Sequence, residues 1–221
     1  GGARLAKELR GFGGTVAEEA RRHHRICTLL RPAAPAGIAA ALEAGAPRHI
    51  DNLALCSQPG IFSWDRLDPG TALLLRHLPA LSGRGADFGC GIGVLSLAVL
   101  RAPKVAALAL IDIDRRAVAM ARRNVDDPRA SHHWADLRGS GPALSGLDFV
   151  VTNPPFHDGG AEDQALGKAF IARAAASLRN GGTLVLVANA HLPYEAPLRA
   201  AFRTVTETAK AGGYKLFEAR K

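Results

Sequence analysis

Apolar runs of four to six residues alternate with stretches of helical periodicity over most of this chain. From Pro47 onward the alternation is regular. Leu53–Cys56 reads as a strand, and Thr71–Leu78 as a helix with Thr71 as its N-cap and Pro79 as its stop. Arg84–Phe88 is a strand, Val94–Leu100 a helix, Ala106–Ile111 a strand and Arg115–Val125 a helix capped by Asp114. A third strand should end near Trp134–Leu137. Leu147–Thr152 is a buried strand, Gln164–Leu178 a helix, Thr183–Ala188 a strand, and Ala196–Phe202 a helical turn. Arg203–Thr208 and Tyr214–Ala219 read as a hairpin around Gly212-Gly213. Repeated βαβ units imply an α/β fold: a mostly parallel sheet with helices on both faces and a C-terminal antiparallel hairpin.

Residues 1–50 follow a different pattern. Ala3–Phe12 is a short amphipathic helix stopped by glycines. Thr15–His24 is charged, and Glu18-Glu19 ahead of Arg21, Arg22 and Arg25 predicts a solvated helix with i, i+3 and i, i+4 pairs. Ile26–Leu30 is apolar enough for a strand, and Ala36–Ala44 reads as a helix closed by Gly45. The expected division is a helical extension or reduced domain over 1–50 and one large α/β domain over 51–221.

Composition narrows the classes. The chain has 221 residues, 48% of them hydrophobic, which is ample for one core and argues against extensive disorder. Nothing reaches membrane-spanning length, and the start at Gly1-Gly2-Ala3-Arg4 is neither a signal peptide nor an initiator, so a trimmed chain or a fragment is expected. Three scattered cysteines, Cys27, Cys56 and Cys90, suit a reducing cytosol. The eight histidines include His23-His24 and His132-His133, but no Cys or His spacing suits zinc, so no metal is expected. The net charge of +8 favours a polyanionic partner.

Two motifs carry chemistry. Asn153-Pro154-Pro155-Phe156 follows the Leu147–Thr152 strand. Asparagine offers one carbonyl acceptor and one amide donor. The prolines fix φ and have no N–H, leaving nearby carbonyls to face a ligand. Phe156 adds a flat apolar face. Such a turn suits a planar group bearing an NH2. Upstream, Asp87-Phe88-Gly89-Cys90-Gly91-Ile92-Gly93 lies at a strand-to-helix junction, where glycines permit a tight turn and close approach of a ligand. Asp87 before the first glycine points to a cationic ligand, whereas a pyrophosphate prefers bare N–H groups. Asp112 closes the next strand, where an acid can hold both hydroxyls of a ribose. Asp136 follows the third and could accept from an adenine amino group. With Asn153, these residues fall at successive strand C-termini.

These motifs resemble the class I S-adenosylmethionine-dependent N-methyltransferases, with their Rossmann-like sheet. Three further segments make the chain similar to the ribosomal RNA small-subunit methyltransferase C family, which makes N2-methylguanine. They are Pro59–Ser63 with Asp65, Leu67-Asp68 and Gly70; His157-Asp158-Gly159; and Ala188–Tyr194. The resemblance runs from about Leu53 to the end. Family members have two methyltransferase-like domains, the first degenerate, so residues 1–50 correspond at most to a reduced version of it. The resemblance implies S-adenosyl-L-methionine as cofactor, held by Phe62, Ser63, Asp68, Asp87, Gly89, Gly91, Asp112, Asp136 and Asn153. Catalysis would fall to Asn153, Pro154 and Phe156. The implied substrate is ribosomal RNA or the small subunit, most directly 16S rRNA. A cytoplasmic, membrane-free monomer is the expectation. A glutamine side chain of a release factor, or adenine N6, would suit similar turns. A non-catalytic RNA-binding protein on the same fold is the alternative from another class.

Overall fold

A computed structural model describes residues 2–22, 24–139, 141–155 and 161–221, with the side chains of residues 2, 3 and 161–164 excepted. The chain divides into two compact units, Gly1–Ala46 and Pro47–Lys221.

In the first unit, helix α1 (Gly2–Arg10) precedes an antiparallel hairpin of β1 (Val16–Arg21) and β2 (His24–Leu29), and α2 (Ile38–Ala44) closes on Gly45. The expected helix over Thr15–His24 is therefore a strand. Its charges are satisfied across space rather than along a helix face: Glu18 takes Arg25 Nη1 at 2.8 Å and also pairs with Arg10. Only Val16 of β1 is buried, so the strand lacks the alternation that would distinguish it from a solvated helix. Gly14 is the position of close approach, since a Cβ there would lie 2.5 Å from Leu29 Cδ1.

The second unit opens with a short antiparallel pair, β3 (Arg48–Ile50) and β4 (Leu55–Ser57), so the strand expected at Leu53–Cys56 begins two residues later. Helix α3 spans Pro69–Arg76. Its N-cap is Asp68, whose Oδ2 accepts from Thr71 N at 2.8 Å, rather than Thr71 itself. Pro69 at the first helical position fits this start, where the missing N–H costs nothing. The alternation then follows as β5 (Gly83–Phe88), α4 (Val94–Leu100), β6 (Val105–Asp112), α5 (Arg115–Asn124) and β7 (Ala130–Trp134). It continues with β8 (Leu147–Thr152), α6 (Ala161–Ser177), β9 (Leu178–Asn189), α7 (Glu195–Ala201), β10 (Thr204–Ala211) and β11 (Tyr214–Arg220).

Seven strands form one sheet in the order β10-β11-β9-β8-β5-β6-β7. Strands β5 to β9 pair in parallel, while β11 runs antiparallel to both β9 and β10. This is the Rossmann-like class expected from the sequence. Alternate residues of each strand feed two cores. Phe88, Val150 and Leu186 join Phe170, Ile171 and Leu198 on one face. Leu108, Leu110, Phe149 and Val151 join Leu73, Leu74, Leu95 and Val99 on the other. Gly85 is needed because a Cβ there would lie 2.1 Å from the Phe149 ring.

The topology decides where a ligand can sit. The chain moves from β5 outward to β6 and β7, then returns to β8 on the opposite side of β5. A crevice therefore opens between the C-terminal ends of β5 and β8, the usual ligand position in open α/β sheets.

Candidate active site

The crevice is lined by the glycine turn after β5, the loop before α3, and Asn153 at the end of β8. Phe62, Ser63, Asp68, Thr71, Asp87, Gly89, Gly91 and Asn153 all face it.

The glycine turn owes its shape to three left-handed positions, Gly89 (φ 73°), Gly91 (φ 53°) and Gly93 (φ 91°). A Cβ on Gly91 would meet nothing within 4 Å, so the cradle stays open there. Its amides point inward. Gly89 N and Cys90 N donate to Ile111 O, at 2.9 and 3.0 Å, and Gly93 N donates to Cys90 O at 2.9 Å. Gly91 N donates to Asp112 Oδ2 at 2.9 Å. Four turn amides are thus consumed by the protein, which is the wrong arrangement for cradling a phosphate.

The crevice lining carries the acids Asp68 and Asp87 and a base, Arg66, which pairs with Asp65, while Asp112 meets the lining through Gly91 N. Asp87 is 1% exposed, and Ser96 of α4 donates through Oγ to its Oδ2 at 2.6 Å. Burial pushes the Asp87 carboxyl up to about 7, the Ser96 hydrogen bond opposes this, and the Asp112 charge adds to it. Asp112 is fixed by two backbone amides, Gly91 N and Asp114 N, the latter at 2.8 Å. Burial raises its pKa too, against those hydrogen bonds. Among the described residues neither carboxylate has a cationic partner.

Asn153 is the other unusual group. Its Nδ2 donates to Asp68 Oδ2 at 2.8 Å and to Thr71 Oγ1 at 2.9 Å. Its Oδ1 is buried with no hydrogen-bond partner among the described residues. A buried acceptor left unpaired is costly, so it marks a place where a donor is missing. Pro154 follows it, buried.

The walls are held by residues that the sequence reading did not single out. Asn124, the last residue of α5, accepts Cys56 N through Oδ1 at 2.8 Å, and its Nδ2 donates to Cys56 O (2.8 Å) and Ile92 O (2.9 Å). It therefore ties β4 to the glycine turn. Arg116 donates to Gly60 O at 3.0 Å while paired with the α5 cap Asp114, anchoring the loop that carries Phe62 and Ser63. Nothing local in the sequence marks Asn124 or Arg116, because both act across long separations.

Other expected residues fall elsewhere. Asp136 follows β7, outside the crevice lining, with its carboxylate on Arg138 N (2.9 Å) and Arg138 Nη2 (2.8 Å). Arg138 holds its pKa below the usual carboxylate range. Tyr194, from the Ala188–Tyr194 segment, is buried against α6, where a Cβ on Gly167 would lie 1.8 Å from its hydroxyl. Phe156, His157, Asp158 and Gly159 lie outside the described residues. No group of three or more His, Cys, Asp or Glu side chains could hold a metal among the described residues, and no described helix is long and apolar enough to cross a membrane.

Inward-turned glycine amides, a buried and a half-buried carboxylate and an asparagine at the next strand end together describe a methyltransferase crevice. The chain belongs to the methyltransferase small domain family, whose model matches residues 52–218. It is similar to the ribosomal RNA small subunit methyltransferase C of Shewanella sp. strain MR-4, with 39% identity over 166 residues, 75% of this chain and 48% of that protein. The counterpart in Shewanella loihica is 38% identical over 171 residues, 76% of this chain and 49% of that one. The chain thus spans about half the length of the curated relatives it matches. Among solved structures, a T. thermophilus 16S rRNA N2 G1207 methyltransferase, in complex with AdoMet and guanosine, superposes with a TM-score of 0.76 at 28% identity. That match covers 99% of this chain and 61% of the other. The ribosomal protein L11 methylase of Lactobacillus delbrueckii subsp. bulgaricus shares the fold at 18% identity and TM-score 0.56, over 75% of this chain and 84% of that one.

Proposed function

We propose that the protein transfers a methyl group from S-adenosyl-L-methionine to the exocyclic N2 of a guanine in 16S ribosomal RNA. The carrying observation is the buried Asn153 Oδ1 beside the glycine turn, which has no hydrogen-bond partner among the described residues. The relatives named above, and the T. thermophilus structure with AdoMet and guanosine, support the choice of cofactor and acceptor.

The residues fit the cofactor. Asp87 is buried and Asp112 half-buried, neither has a cationic partner among the described residues, the turn offers few free amides to a phosphate, and the open side of Gly91 leaves room. Asp112 would hold the ribose, with Asp87 on the cationic side, and Phe62 and Ser63 at the mouth. Asp136 would reach the adenine only by leaving Arg138. When bound, S-adenosylmethionine supplies an electrophilic methyl group.

An aryl amine is a poor nucleophile because its lone pair is delocalised. Asn153 Oδ1 accepts one of its hydrogens, and the Pro154 carbonyl the other. Both bonds draw the nitrogen towards tetrahedral geometry and aim its lone pair. Phe156 would stack on the base, a contribution of about 1–3 kcal/mol. The new N–C bond forms as the S–C bond breaks, and the surplus proton leaves the cationic amine to solvent. Alignment is the main contribution, so no strong base is required at the outset. A paired guanine must first leave its helix.

The test combines labelled cofactor with small ribosomal subunits, naked 16S rRNA, DNA and release factors, followed by nucleoside mass spectrometry. N2-methylguanosine in the RNA is expected. Label in adenine or in protein would overturn the assignment. Asn153→Ala should lower transfer about a hundredfold or more while cofactor affinity holds.

A further inference from the structure

We propose that Asp68, assisted by Thr71, is a positioning residue that decides which end of the Asn153 carboxamide faces the crevice. The inference rests on the reading of Asn153 Oδ1 as acceptor for the amine.

The two ends of a carboxamide have nearly the same shape, so packing alone does not distinguish them. Turned by 180°, Asn153 would present an NH2 to the incoming amine, donor against donor. What prevents the turn is the chemistry of its neighbours. A carboxylate is acceptor-only, so the Asn153 atom 2.8 Å from Asp68 Oδ2 has to be the nitrogen. Thr71 Oγ1 can accept or donate, so it follows the sense Asp68 imposes and takes the second Nδ2 proton, at 2.9 Å. Both donors are then spent on the start of α3, and Oδ1, without a partner among the described residues, is what remains for an incoming amine.

Asp68 is held in turn. Its Oδ2 caps α3 through Thr71 N at 2.8 Å, and the residue is 7% exposed. Gly70 lets the Tyr214 ring of β11 lie against this helix start: a Cβ there would be 2.8 Å from the ring and 3.1 Å from Asp68 Oδ2. Burial, and after it the Asp68 charge, raise the Tyr214 pKa. The carboxylate is therefore fixed by a helix start and a strand before Asn153 meets it. Although Asp68 borders the crevice, its contacts run to Thr71 and Asn153.

The test is Asp68→Ala, which removes the acceptor and leaves Asn153 beside Thr71 Oγ1, a group that accepts either sense. Expected are a fall in kcat of about tenfold or more, with the cofactor Kd within about threefold of wild type. The decisive comparison is Asp68→Asn. One oxygen, Asp68 Oδ2, takes both Thr71 N–H and the Asn153 NH2, so an asparagine that caps α3 must place its amide oxygen there and still fixes the sense of Asn153. It should keep kcat within about threefold of wild type. A second readout needs no turnover: the Asn153 side-chain NH2, followed by 15N NMR, should be protected from exchange in wild type and in Asp68→Asn and lose that protection in Asp68→Ala. A rise in cofactor Kd without loss of kcat in Asp68→Ala would make Asp68 a cofactor contact and overturn the proposal, as would an Asp68→Asn variant no better than Asp68→Ala. If wild type transfers nothing to guanine while the NMR signature appears, the proposed reaction fails and the orientation stands.

Discussion

Replacing Asp87 by asparagine should make the cofactor-free protein more stable, and increasingly so as the pH rises. Asp87 has no cationic partner among the described residues, and burial lifts its pKa from 3.8 to about 7. An acid with a higher pKa folded than unfolded binds its proton more tightly in the folded state. Its contribution to stability is complete below the unfolded pKa and is lost as pH climbs towards the folded one. Between pH 5 and pH 8 the loss covers two pH units, up to about 7, and amounts to about 3 kcal/mol. Asp87→Asn removes the titration and keeps an acceptor for Ser96 Oγ. Relative to wild type, the variant should therefore gain about 3 kcal/mol more at pH 8 than at pH 5, a difference in Tm shift of about 6–12 °C for a chain of this size. Differential scanning calorimetry of the cofactor-free protein at both pH values measures it. An equal Tm shift at pH 5 and pH 8 would refute the reasoning, since it would mean that Asp87 is ionised in the folded state throughout.

Other outcomes follow from the same geometry. Wild-type cofactor affinity, read by calorimetry, should fall about tenfold per pH unit below about pH 7, because binding must first expel the Asp87 proton; a flat profile between pH 5 and 7 would count against Asp87 facing the cation. Asp112→Ala removes the expected ribose acceptor and frees Gly91 N and Asp114 N, so Kd for the cofactor should rise by about ten- to a hundredfold; an unchanged Kd would move the ribose elsewhere. Asn124→Ala breaks three bonds between α5, β4 and the glycine turn, at a cost of about 2–4 kcal/mol in urea denaturation; a loss under about 0.5 kcal/mol would show that water replaces them.

The parts legible in the sequence were those specified locally. Strands β6 and β8 are largely buried on both faces, and each reads as a mostly apolar run between helical stretches, whereas β5, with Arg84 and Asp87, does not. The glycine turn needs positive φ at Gly89, Gly91 and Gly93, and the residue type shows it. The illegible parts depend on partners far along the chain. Strand β1 has almost no buried face, so its identity comes from pairing with β2. Thr71 looks like a helix cap because a hydroxyl precedes apolar residues, whereas Asp68-Pro69 is the stronger start once the proline is placed at the first helical position. The same misplacement hid the site's polarity: with Thr71 as the cap, nothing directed Asp68 towards Asn153.

The Tyr214 ring against Gly70 links that polarity to the order in which the chain is made. Strand β11 enters the sheet between β9 and β10, after every other strand has been synthesised. Its pairings with β9 and β10 are short in sequence, but the contact of the Tyr214 ring with Gly70 closes a loop over most of the domain, and contacts so distant form slowly because loop closure is entropically costly. A folding intermediate with β5, β6 and β8 already paired would have its glycine turn, and so a place for a cofactor. It would lack the strand that packs beside Asp68. Competence to bind the methyl donor would then precede competence to use it, and the last strand to dock would act as the final step in maturation of the active site.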